Sequence, residues 1–205
     1  MNDRIEFAFW TAGSNWLMWR ADFEFPGPHE RMPVLADQER FSSFITEYRL
    51  LQGQTSERRE ELRQRLLGAF DFREMTKQDD GNGIDTMAHR LSEEFPGLGV
   101  QRSFLSKLAA FARPECFIAW DQFAREGVAN LTEGPAHGKY ATYSDYLAAI
   151  NTAWEGEHGH RIRKFVDKKR TPTQQPNDAF SRRVFDVYLM IEGGRWSPPL
   201  VWAPE

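Results

Sequence analysis

Apolar residues recur at three- and four-residue intervals through most of the chain, and this spacing constrains the fold more than any other feature. Two stretches that show it carry Phe41, Phe44, Ile45 and Tyr48, and then Val100, Phe104, Leu108 and Phe111. Such spacing places the apolar side chains along one face of an α-helix. No window of alternating polarity is long enough to require a β-sheet. We therefore predict an all-α protein, a helical bundle in which residues 1–205 form a single domain.

Aromatic residues are expected to supply much of the core. They make up 14% of the 205 residues, with 16 Phe, 7 Trp and 5 Tyr, which is too much large apolar surface for a disordered chain. Residues 1–34 form an N-terminal segment rich in aromatic residues that follow no clean period. The sequence predicts no particular element there.

Composition excludes several classes of protein. The net charge of −4 and the pI of about 5.8 give no overall attraction to a polyanion, so any nucleic-acid surface must be local. The single cysteine, Cys116, excludes internal disulfides and cysteine-rich metal sites. No apolar run approaches the roughly 20 residues that span a bilayer, and the charged start of the chain does not suit a secretory signal. We expect a cytoplasmic protein without a membrane partner.

A metal site is not predicted either. His158 and His160 are two positions apart, a spacing that does not bring both rings to one face of a helix. No third ligand stands nearby in the sequence.

A short turn between two predicted helices is the most informative stretch. Residues 95–99 read Phe-Pro-Gly-Leu-Gly, and the next helix begins at once. Gly97 and Gly99 leave backbone N–H groups beside the positive end of that helix, where a DNA phosphate can bind. The polar residues that follow, exposed at the start of the second helix, add candidate phosphate contacts at Gln101, Arg102 and Ser103.

Together with a later aspartate, this hairpin resembles the helix-hairpin-helix DNA glycosylases, the superfamily of endonuclease III and 8-oxoguanine glycosylase. In that family the hairpin reads Leu-Pro-Gly-Val-Gly, and the catalytic aspartate follows an apolar run at the start of a later helix. Here Asp121 follows the run Phe-Ile-Ala-Trp, at a spacing slightly longer than in endonuclease III. The resemblance covers residues 84–131. It implies a DNA-glycosylase-like fold, double-stranded DNA as the partner, and no small-molecule cofactor.

The resemblance also implies an activity, hydrolysis of the N-glycosidic bond of a flipped damaged or modified base during DNA repair. Asp121 would stabilise the oxocarbenium-like sugar and align a water. Bifunctional members place a lysine just after the hairpin, where its amine forms a Schiff base with the sugar. The nearest lysine here is Lys107, one helical turn later. Unless Lys107 reaches the site, we expect a monofunctional hydrolase rather than a lyase.

A looser likeness supports the fold more than the reaction. Bacterial proteins with an 8-oxoguanine-glycosylase-like fold, most without an established activity, are similar at Ser106-Lys107-Leu108, Phe111, Arg113-Pro114 and the Arg182 to Asp186 element.

The candidate residues also have ordinary structural explanations. Asp121 is an acceptable helix N-cap, and a lysine such as Lys107 is commonly solvated or ion-paired. Trp120 stacks on an extruded base in the functional interpretation and belongs to the core in the structural one.

A basic segment with Arg161, Arg163 and Lys164 either follows a phosphate backbone or is a solvated helix face. Two further hypotheses for the whole chain therefore stay open. One is a non-catalytic module that binds nucleic acid or a protein on the same helical fold, and the other is an accidental likeness.

Overall fold

The computed structural model describes residues 2–23, 32–68, 75–169 and 177–195, and these residues form helices and connecting turns without any β-strand. In chain order the α-helices are α1 (Asn2–Phe23), α2 (Pro33–Ala36), α3 (Gln38–Glu47), α4 (Ser56–Gly68), α5 (Asn82–Glu94), α6 (Arg102–Ala112), α7 (Gln122–Thr132), α8 (Tyr143–Glu155), α9 (Glu157–Lys169) and α10 (Asn177–Glu192). A short 3₁₀-helix lies between α7 and α8, at Ala136–Gly138. The prediction of an all-α protein is confirmed.

The N-terminal aromatic segment contains a helix that the sequence did not predict. In α1 the buried side chains include two alanines, Ala8 and Ala12, together with Ile5 and Phe9. Trp10, by contrast, is 60% exposed. The buried face of α1 carries small residues, whereas a large aromatic residue lies on the exposed face. The positions of the large apolar residues therefore do not follow the helical period. The side chains of residues 15–23 and all of residues 24–31 lie outside the described part of the chain.

Helices α7 and α10 approach each other closely because two glycines face the partner backbone. A Cβ at Gly127 would lie 1.9 Å from the carbonyl oxygen of Leu189, and one at Gly193 would lie 1.9 Å from that of Phe123. Only glycine permits this separation. The N-terminal end of α7 therefore packs beside the C-terminal end of α10, and this contact builds one wall of the candidate site.

Among the described helices, none has both the length and the apolar character that crossing a membrane requires.

Candidate functional site

The turn between α5 and α6 carries two glycines in left-handed conformations. Gly97 has a φ of +84° and Gly99 a φ of +68°, where a side chain would be strained. A Cβ at either position would meet no described atom within 4 Å, so the surface outside the turn is open. Leu98 between them is buried, and its carbonyl accepts a hydrogen bond from the side-chain amide of Gln101. The hydrogen bond from Gln101 holds the turn in place, and the outer face of the turn stays accessible.

Arg102 is held within the protein. Its Nε donates to Oδ1 of Asp85 at 2.5 Å. Asp85 also accepts hydrogen bonds from the backbone N–H groups of Tyr143 and Ser144, at 3.0 Å each. Arg102 and Asp85 thus join α5 and α6 to the start of α8. DNA contacts by Gln101 and Arg102 stay predictions, and both side chains have intramolecular partners.

An extended segment, residues 117–120, leads from α6 towards α7 and is held by side chains instead of a sheet. Two buried tyrosine hydroxyls donate to consecutive carbonyls, in the pairs Tyr143 to Ile118 at 2.7 Å and Tyr146 to Ala119 at 2.9 Å. The hydroxyl of Ser106 accepts a hydrogen bond from the backbone N–H of Trp120 at 2.8 Å. These contacts satisfy backbone groups that would otherwise be buried without partners, and they determine where α7 begins.

Asp121 caps α7 and also faces a pocket. Its Oδ1 accepts a hydrogen bond from the backbone N–H of Phe123 at 2.9 Å. Its Oδ2 lies 3.7 Å from Nη1 of Arg195, and 18% of the aspartate side chain is exposed. The carboxylate is therefore a helix cap that remains open to a ligand.

Arg195 owes its position to the turn that ends α10. Gly194 adopts a φ of +89° and donates its backbone N–H to the carbonyl of Ile191. The backbone N–H of Arg195 donates to the carbonyl of Met190. This pair of bonds is a Schellman motif, which reverses the chain after a helix. Arg195 was not predicted as a site residue, and the two glycines before it were the signal that the sequence offered.

The pocket lies among α1, the end of α3, α6, the start of α7 and α10, and its volume is about 740 Å³. That is within the usual size range of ligand sites. Its charged and polar lining includes Glu47, Tyr48, Arg49, Ser103, Lys107, Asp121, Arg183, Asp186 and Arg195. The structure therefore brings Lys107 and Asp121, the two predicted catalytic residues, into one cavity together with Ser103.

Lys107 is buried in this pocket, with 9% of its surface exposed. Its Nζ donates to the hydroxyl of Ser103 at 3.0 Å. Within the described residues, no carboxylate oxygen lies within 4 Å of Nζ. Burial lowers the pKa of Lys107, and the charges of Asp121 and Asp186 oppose that shift. The ordinary explanation for Lys107, a solvated or ion-paired side chain, is wrong.

Asp186 and Arg183 add a buried ion pair that the sequence analysis did not predict as part of a site. Nη1 of Arg183 donates to Oδ2 of Asp186 one turn along α10. In the part of the chain that the structure describes, Oδ1 of Asp186 and Nε of Arg183 have no hydrogen-bond partner. Burial raises the pKa of Asp186. An aspartate between Phe185 and Val187, inside an apolar helix, was the available signal.

Trp120 does not line the pocket. Its ring lies 4.7 Å from the guanidinium of Arg125 and 5.8 Å from that of Arg102, and it packs edge to face on Tyr146. The ring is partly buried against these side chains, and base stacking by Trp120 stays a prediction.

The basic segment forms α9, and two of its three candidate residues have partners. Arg161 pairs with Glu157 at 3.6 Å, and the guanidinium of Arg163 lies 4.5 Å from the ring centre of Trp154. Lys164 is exposed. Contacts from α9 to DNA are untested.

His158 and His160 both lie on α9, and neither belongs to a group of potential metal ligands among the described residues. His158 Nδ1 lies 3.3 Å from the hydroxyl of Tyr188. The described residues contain no group of three His, Cys, Asp or Glu side chains placed to hold a metal ion.

Comparisons with protein-family models, with curated proteins and with solved structures found no match for this chain. The pocket and the turn beside it are therefore the features of this chain that bear on its function.

Proposed function

We propose that this protein is a DNA-binding enzyme of the helix-hairpin-helix glycosylase class, which cleaves the N-glycosidic bond of a flipped nucleotide held in the pocket. The observation that carries the proposal is the pairing of a buried lysine amine and an open aspartate carboxylate in the lining of one cavity. Reaction at a sugar carbon can use such a pair, since the amine can attack the carbon while the carboxylate stabilises the developing positive charge.

The turn beside the pocket supplies the features of a phosphate site. Among the described residues, no side chain caps the N-terminus of α6, so its first backbone N–H groups suit an anion. Ser103 lines the pocket and follows Gly99 by four residues, which limits the separation of their Cα atoms to at most about 14 Å. A phosphate at the turn and a sugar in the pocket can therefore belong to one DNA strand.

In the proposed reaction the bond between the sugar C1′ and the base nitrogen breaks, and the base leaves with the bonding electrons. The carboxylate of Asp121 stabilises the positive charge that develops on the sugar. The attacking group is either a water aligned by Asp121 or the amine of Lys107, and the burial that lowers the pKa of Lys107 favours the amine. Amine attack produces a Schiff base with the opened sugar, and strand cleavage follows from it.

The test uses the full chain with duplexes that each carry one damaged or modified base, and a duplex with an abasic site. We expect base release from at least one duplex. Asp121→Asn keeps the N-cap, because asparagine caps helices as well as aspartate does, but lowers the rate of release by roughly 100-fold or more. The matched control is Asp37→Asn at the N-cap of α3, where the carboxylate accepts from the backbone N–H of Arg40. Unchanged release by Asp121→Asn would contradict the enzymatic proposal.

Borohydride trapping on the abasic duplex separates the two nucleophiles. A covalent adduct that is lost in Lys107→Met identifies the amine as the nucleophile. Base release without an adduct identifies a water, and the protein is then a monofunctional hydrolase.

A non-catalytic module is the second candidate, and the contacts of Asp121 favour it. One oxygen of this carboxylate accepts a backbone hydrogen bond and the other lies near Arg195, as in a purely structural cap. A mobility shift across a salt series distinguishes the candidates: salt-sensitive binding without base release supports a nucleic-acid module, and no binding supports a protein partner.

A further inference from the structure

We propose that Arg183 and Arg195 are positioning residues that keep Lys107 as an uncharged amine, because each holds one of the two aspartates that line the same pocket. The use of this amine in catalysis rests on the proposed function. The protonation of Lys107 itself is a property of the free protein and can be measured without DNA.

The two arginines are arranged as partners of the two aspartates. Arg183 forms an ion pair with Asp186 on α10, and both side chains are buried. Arg195 approaches Asp121 from the turn after α10, with 3.7 Å between Nη1 and Oδ2. Arginine stays protonated under all ordinary conditions, so both aspartates keep a permanent counter-charge.

Lys107 is left without a carboxylate of its own. The hydrogen bond from its Nζ goes to the hydroxyl of Ser103, an uncharged group. A buried ammonium that lacks a counter-charge is unfavourable, and losing a proton removes that cost. Burial is the largest cause that lowers the pKa of Lys107, and the charges of Arg195 and Arg183 lower it further.

The other titratable groups of the pocket do not change this balance. Glu47, Tyr48 and Arg49 reach it from the end of α3. Burial raises the pKa of Tyr48 to about 12, so its hydroxyl is uncharged at neutral pH. Among the described residues that line the pocket, four are basic and three are acidic. Loss of one proton from Lys107 therefore leaves the lining with no net charge.

The test measures how the reactivity of Lys107 depends on pH. The full chain is acetylated with N-hydroxysuccinimidyl acetate at a series of pH values, and peptide mass spectrometry gives the rate at each lysine. The exposed Lys164 in the same sample corrects for decay of the reagent. In the wild-type protein we expect Lys107 to reach half of its maximal rate below pH 10.5, the ordinary lysine value.

Arg195→Gln is the first variant, because 39% of the Arg195 side chain is exposed and the protein should fold without it. Removing this charge moves the midpoint for Lys107 to higher pH, and the rate at pH 7.5 falls by roughly fivefold. Arg161→Gln on α9 is the matched control and leaves the profile unchanged.

Arg183→Gln should shift the midpoint in the same direction, and adding Asp186→Asn should return it towards the wild-type value. The double variant removes one charge of each sign and leaves no unpaired buried charge, so it should fold even where Arg183→Gln alone does not.

A wild-type midpoint near pH 10.5, or a midpoint that Arg195→Gln leaves unchanged, would overturn the inference. So would a double variant whose midpoint stays as far from the wild-type value as that of Arg195→Gln. Base release does not enter this measurement. Failure of the glycosylase proposal therefore leaves the pH profile intact, and an unaltered profile leaves the role of Asp121 intact.

Discussion

The pocket and helix α9 are both rich in charge, but they hold their charges in opposite ways. In the pocket, Lys107 and Asp186 are buried, and burial lowers the pKa of the lysine and raises that of the aspartate. On α9, Lys164 is exposed and Arg161 pairs with Glu157 on the surface. A buried charge is costly to keep, whereas a surface charge costs almost nothing.

This difference shows which polar residues point to a function. Surface lysines and arginines keep a protein soluble whether or not they contact DNA, so α9 carries little information. A lysine and an aspartate retained in a cavity lower stability relative to apolar residues of the same size. Perturbed pKa values in a pocket are typical of catalytic sites, and the comparison therefore favours the pocket as the functional region.

The largest expected effect comes from two glycines, one in each region. A Cβ at Gly127 would lie 1.9 Å from a carbonyl oxygen of α10, and a Cβ at Gly159 would lie 1.8 Å from the carbonyl oxygen of Trp154. Gly127→Ala and Gly159→Ala should each lower the free energy of unfolding by about 3 kcal/mol, measured by urea denaturation. Only Gly127→Ala should also lower base release per folded molecule, because it displaces α7 and Asp121. An equal loss of activity in both variants would show that the pocket is no more important for function than α9.

The second effect concerns the two lysines. Lys107→Met removes a buried amine and should raise the free energy of unfolding at pH 7 by about 1 kcal/mol, while the exposed Lys164→Met should change it by less than about 0.5 kcal/mol.

The gain from Lys107→Met should also depend on pH. The folded pKa of Lys107 is below its unfolded value of 10.5, so between these two values the unfolded chain binds more protons than the folded one. Wild-type stability therefore rises with pH across this range, and the advantage of Lys107→Met shrinks towards pH 10.5. Denaturation at pH 7 and pH 10 measures the change. A constant difference would mean that Lys107 is charged in the folded protein.

The smallest effect is expected on α9. Arg161→Gln removes a surface ion pair and should change the free energy of unfolding by less than about 0.5 kcal/mol. If Arg161 contacts a phosphate, the slope of the logarithm of the DNA-binding constant against the logarithm of the salt concentration should become shallower by about one in Arg161→Gln. A loss of stability above about 1 kcal/mol would show that this surface ion pair of α9 contributes to folding, in contrast to an ordinary exposed pair.

Sequence patterns identified different parts of the molecule with different success. The glycine turn and Asp121 could be found because each depends on local chemistry, namely left-handed backbone angles and a helix cap. Helix α1 was missed because small residues mark its buried face. Asp186 and Arg195 were missed as site residues because nothing near them in the sequence indicates that they meet Lys107.

Local sequence patterns were enough to predict the all-α class, several of the helices and the glycine turn, since apolar period, caps and backbone preferences act over a few residues. The burial of Lys107, and the pocket that it shares with two aspartates and three arginines, follow from the packing of the helices and from no local pattern. The close approach of α7 and α10 at Gly127 and Gly193 builds one wall of that pocket. The pKa values of its residues depend on burial and on charges brought together from distant positions, and no local pattern encodes either one.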